Sequence, residues 1–117
     1  MGSRPSVVGD SPEQMLEFAK DLAGRWEPGF RRASAILART AIEQRCRELI
    51  SADPNRRTGM KTSFIVLRLT QPQQAFRGHH LWSVLSRIAH HSESDLIPGP
   101  TEMAHWVEQA TEWAAAE

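Results

Sequence analysis

Apolar residues recur along this chain at intervals of three and four, the period of an α-helix, and stretches carrying proline and glycine divide the pattern into blocks. The first block opens on Ser11-Pro12-Glu13-Gln14: a serine able to cap, a proline at the first helical position, and a glutamine placed to reach back to the cap. Met15, Phe18, Ala19, Leu22 and Trp26 then fall on one stripe, which predicts a helix over about residues 12–24. After Glu27-Pro28-Gly29 comes the longest uninterrupted helical stretch, Phe30 to Ser51. Phe30, Ala33, Leu37, Ala41, Ile42, Cys46 and Leu49 give it a buried side. Arg39, Glu43 and Arg47 form an i, i+4 ladder on another.

Residues 60–70 pose a conflict. Phe64, Ile65 and Val66 favour a strand on propensity, but nothing else in the chain offers a partner, and a lone strand is not viable. The segment is therefore expected to be a short buried helix. Gln71-Pro72 ends it, and a fourth helix is expected from about 74 to 91, with Leu81, Trp82, Leu85, Ile88 and Ala89 on one face. Past a polar, proline-bearing loop, Thr101 is the expected cap of a fifth. There Met103, Trp106, Val107, Ala110, Trp113 and Ala114 share a side, and Glu102, Glu108 and Glu112 point away. Residues 1–10 show no periodicity and read as a flexible tail, leaving 11–117 as a single domain. The expected fold class is all-α, a bundle of four to five helices.

Composition narrows the function classes. With 117 residues, 40% of them apolar and 24% charged, the chain has the make-up of an ordinary soluble domain. No apolar run approaches the roughly 18 residues of a membrane span, and the N-terminus lacks a signal-peptide core, so the expectation is cytoplasmic, without membrane contact. A single cysteine, Cys46, excludes an internal disulfide and a thiolate zinc cluster; it is expected to be packing rather than a nucleophile. No glycine-rich nucleotide loop and no nucleophile elbow occur, so no cofactor is expected.

Charge is less uniform than its zero sum suggests. Residues 25–87 hold 12 Lys/Arg and 4 Asp/Glu, a net +8, whereas residues 88–117 hold six acids and no Lys/Arg, a net −6. This asymmetry fits either a basic surface for an anionic partner or an acidic last helix packed against basic neighbours. The basic run Arg56-Arg57-Thr58-Gly59-Met60-Lys61 can touch phosphates or be a solvated turn. The tryptophans Trp26, Trp82, Trp106 and Trp113 all lie on apolar stripes and are assigned to core packing rather than base stacking.

Four of the five histidines come as adjacent pairs, His79-His80 and His90-His91, about 16 Å apart along one helix. No single metal spans them, and no metal site is expected. On that helix His80, Ser83, Arg87 and His90 or His91 form a polar strip; Arg87 stands about 160° from Leu85, the centre of the apolar face. Arg87 is an i, i+3 neighbour of His90 and an i, i+4 neighbour of His91. Such a pair suits RNA cleavage: a neutral imidazole can take the 2′-hydroxyl proton and a guanidinium can hold the phosphate. A solvated face is the competing reading.

The run Arg39-Thr40-Ala41-Ile42-Glu43-Gln44-Arg45, the short third helix, Leu85-Ser86-Arg87-Ile88-Ala89-His90-His91 and the Pro100-Thr101 helix start resemble the HEPN superfamily. They are closest in pattern to small actinobacterial proteins with a leucine-serine-arginine, two residues, histidine-histidine signature. The resemblance covers about residues 30–115. It implies an antiparallel bundle, a homodimer, and in active members a metal-independent ribonuclease of toxin or defence type. Carried over residue by residue, Arg87 with His90 or His91 is the catalytic pair, and Glu43 is the accompanying acid. The family motif separates arginine and histidine by four to six residues, whereas two separate Arg87 from His90 and three separate it from His91. The expectation is therefore a non-catalytic HEPN-like module. It would bind a partner protein or RNA through His80, Ser83, Arg87 and His91 or through Arg39 and Arg47 of the basic second helix. The alternative is the ribonuclease.

Overall fold

The computed structural model describes residues 11–50, 59–90 and 97–116. They form five α-helices, α1 (Pro12–Ala23), α2 (Pro28–Leu49), α3 (Met60–Thr70), α4 (Pro72–His90) and α5 (Pro100–Ala115), and no strand occurs among the described residues. The fold is all-α. The predicted tail over residues 1–10 and the Arg56-Arg57 basic turn lie outside the described residues.

Local chemistry explains the helix starts. At α1 the Gln14 N–H donates to the Ser11 hydroxyl at 3.2 Å while the Ser11 N–H donates to the Gln14 side-chain oxygen at 3.0 Å, closing the capping box read from the sequence. Four of the five helices begin at a proline: Pro12, Pro28, Pro72 and Pro100. Its ring presets a helical φ, and the N–H it lacks would be unsatisfied at that position anyway. This corrects the fifth helix start, because Gly99 is the cap and Thr101 lies one residue inside the helix. It also moves the start of α4 from 74 to Pro72. Gln71, between α3 and α4 at φ −139°, ψ 72°, leaves the helical region, which a following proline disfavours.

Side-chain contacts fix the topology. Ser34 donates to the Ala19 carbonyl at 2.6 Å and Arg31 to the Arg25 carbonyl at 2.9 Å, so α1 and α2 run antiparallel. Glu43 meets Trp82 and Arg39 meets His90, so α2 and α4 are antiparallel as well. Arg31 donates to the Pro98 carbonyl at one end of α2 and Arg45 to the Ala116 carbonyl at the other, which makes α2 and α5 parallel. The core lies between these four helices. Ala35, Ala38 and Ala41 of α2 are fully buried, and their small side chains admit Met15 and Leu16 of α1, Leu85 of α4 and Met103 and Val107 of α5. From α3, Phe64 and Leu67 complete it.

Several predicted core positions are outside. Phe18 is 52% exposed and Trp26 80% exposed. The buried side of α1 is Met15, Leu16, Ala19 and Ala23, and the helix ends at Ala23, so Trp26 falls on the turn into α2. Phe30 is exposed too, Ala33 and Leu49 are half-buried, and Trp82 and Trp106 only partly shielded, whereas Trp113 is fully buried. α3 is helical as expected but only half interred: Phe64 and Leu67 face inward, while Ile65, Val66 and Leu69 face out. Conversely, Arg31 is buried. Its guanidinium donates to the carbonyls of Pro98, Arg25 and Trp26, tying the α1–α2 turn to the start of α5.

Candidate functional site

The two helices that carry the sequence-derived candidates, α2 and α4, meet along a polar seam. The Trp82 indole N–H donates to Glu43 Oε2 at 2.9 Å, and Arg39 Nε stands 3.9 Å from the same oxygen. Arg39 Nη1 lies 3.3 Å from His90 Nε2. A guanidinium can only donate, so a hydrogen bond here has Arg39 as donor and the imidazole nitrogen as acceptor. The His79 ring stacks nearly parallel on Trp82 at 6.3 Å, and Phe64 packs at 5.2 Å from His79. Three candidates, Arg39, Glu43 and His90, are thus brought together. Their contacts link one helix to the next, and Glu43 already faces an indole donor and a guanidinium.

Arg87 goes elsewhere. It is exposed and, with His80, Val84, Ile88, Glu102 and Trp106, lines a shallow groove of about 350 Å³ between α4 and α5. His80 lies 6.1 Å from the Trp106 ring on that same flank. The i, i+3 spacing of Arg87 and His90 therefore spans two flanks of α4: His90 leans on α2 and Arg87 opens toward α5. Glu43 accompanies His90 and not Arg87. Ser83 is half-buried and Arg47 exposed; of the predicted ladder the Arg39–Glu43 rung is formed. His91 lies outside the described residues.

Cys46 is fully buried, and loss of hydration pushes its thiol up to about 11 despite the neighbouring Arg47, so it is a neutral packing group at physiological pH. Among the described residues, no three His, Cys, Asp or Glu side chains cluster as a metal site, and no helix is long and apolar enough to cross a membrane.

A further groove was not foreseen from the sequence. Between α3 and α4 lies a half-open groove of about 490 Å³ whose apolar walls include Phe64, Ile65 and Phe76, with Lys61, Arg68 and His79 also lining it. Phe76 is 76% exposed and nearby Leu69 81% exposed. One signal was available: Phe76 falls off the apolar face of α4, and an aromatic residue off its stripe has no place in the core. Set against protein-family models, curated proteins and solved structures, the chain matches none of them.

Proposed function

We propose that this chain is a non-catalytic, HEPN-like helical interaction module. One observation carries the reading: Arg87 and His90, one of the two candidate pairs, are divided between two flanks of α4, His91 lying outside the described residues. His90 is held by Arg39 at 3.3 Å on the α2 side, while Arg87 lines the α5-side groove with Glu102. A general base has to reach the proton it removes while the cation holds the same phosphate, and this division works against both. The exposed apolar and cationic surface of α3 and α4 is the kind of surface a binding module presents.

The test is incubation of the chain with a labelled structured RNA in EDTA. Intact RNA is expected. Cleavage that survives chelation and disappears when Arg87→Ala is combined with His90→Ala or His91→Ala would overturn the reading in favour of a metal-independent ribonuclease.

A further inference from the structure

The α3–α4 groove has a chemical complement on the same molecule. Residues 60–90 contain Lys61, Arg68, Arg77 and Arg87 and not one Asp or Glu. Its exposed apolar residues, Ile65, Leu69 and Phe76, stand among these cations. On α1 acids predominate: Glu13, Glu17 and Asp21 follow at i, i+4 and i+8 along the exposed face, with one cation, Lys20, among them and the exposed Phe18 ring beside them. Lys61 and Arg68 are seven residues apart, about 10.5 Å along α3, and Glu13 and Asp21 eight residues apart, about 12 Å along α1. The two charge rows are thus of matching length. Asp21 holds Arg25 at 3.3 Å, but both side chains are more than half exposed, and such a pair exchanges partners at little cost.

We propose that the α3–α4 groove receives the α1 face of a second copy of this chain. Phe18 enters the apolar trough between Ile65 and Phe76, and the α1 carboxylates lie along Lys61 and Arg68. The inference rests on the interaction-module reading and names the partner. α1 packs chiefly on α2 and α5, whereas α3 packs chiefly on α4, so the two surfaces lie on different sides of the bundle. The contact is therefore heterologous: each copy offers its groove to one neighbour and its α1 to another, and association grows as a chain or closes as a ring. Apolar burial supplies the affinity, and the charge rows set orientation and make it sensitive to salt.

Two variants make a stringent test, because head-to-tail growth can be capped at both ends. One carries Ile65→Asp with Phe76→Asp and loses the groove; the other carries Phe18→Ser with Glu17→Ser and loses the α1 face. All four positions are exposed, and circular dichroism checks that each variant keeps its helices. By analytical ultracentrifugation, the wild type is expected to show a weight-average mass that climbs above 13.2 kDa with concentration and falls back toward it in about 0.5 M salt, where charges are screened beyond a few ångströms. Each variant alone is expected to be a monomer. Mixed, they are expected to give a 1:1 dimer that grows no further, since one intact α1 and one intact groove remain. A wild type that stays monomeric up to millimolar concentration overturns the proposal, as do variants that still self-associate or a mixture that does not dimerise. A monomeric wild type without nuclease activity overturns this inference alone. Nuclease activity lost with Arg87 and His90 or His91 overturns the reading beneath it.

Discussion

α4 closes tightly at Gly78 and stays open at Phe76. Toward α5, Gly78 has no side chain, and the indole of Trp113 fills the space: a Cβ on Gly78 would stand 2.5 Å from the nearest indole carbon. Trp113 is fully buried, donating its ring N–H to the Gln74 carbonyl at 2.8 Å, while the Gln74 amide reaches the Trp113 carbonyl at 3.4 Å. Two residues before Gly78, and so about 200° around the helix, Phe76 projects away from Trp113 and is mostly exposed. There the facing helix, α3, is short and offers Ile65 and Phe64 without closing the space, which leaves the groove of about 490 Å³. Close packing comes where a missing side chain meets a large one; an opening remains where large side chains have nothing opposite.

The sharpest way to break this contrast is Trp113→Ala, which empties the space against Gly78 and leaves the Gln74 carbonyl without its indole donor. A loss of about 3–5 kcal/mol is expected in urea unfolding; a loss below about 1 kcal/mol would mean the space is not tightly closed. Next is the dryness of the core shared by the four closely packed helices, which Cys46 reports. Its folded thiol holds its proton up to about 11, against an ordinary value of 9.0, because burial disfavours the thiolate. The folded state therefore binds this proton more tightly than the unfolded state. The stabilisation is intact below pH 9 and is lost as pH rises through about 11, roughly 2–3 kcal/mol in all. Stability curves of wild type and Cys46→Ala should diverge in slope across that window; parallel curves would show that water reaches the thiol. Smaller again is Gly78→Ala, which forces a methyl group against the indole and should cost about 1–3 kcal/mol. Near the open groove Leu69→Ser should change stability by less than about 0.5 kcal/mol, since Leu69 is almost wholly in water. A larger loss in thermal melts would show that the groove carries structure after all.

Much of the architecture was readable because it depends on neighbours within one helical turn. Ser11 and Gln14 form their capping box from residues three apart, and Gln71-Pro72 must interrupt a helix whatever surrounds it. The third block was resolved by exclusion: a lone run of Phe, Ile and Val became a helix because no second strand existed. Its burial was overestimated, since helix formation alone does not say how many sides receive a neighbour. Trp26 misled in the opposite way. It lies on the periodic extension of the first stripe, but the helix ends three residues earlier, and periodicity stops meaning anything where the helix stops. Arg31 was unreadable because what buries it are backbone carbonyls, one of them 67 residues away at Pro98.

The candidate site divides along the same line. The sequence by itself determined that Arg87 and His90 share the polar side of one helix, that Arg39 and Glu43 are one turn apart on another, and that residues 60–90 carry cations and no acids. Only the tertiary structure decided that His90 turns to Arg39, that Glu43 takes the Trp82 indole, that Arg87 opens toward α5, and that Phe76 borders a groove. The reason is geometric. A helical repeat fixes each side chain's angle around its own axis, but which helix stands at that angle is set by packing between segments distant in the chain.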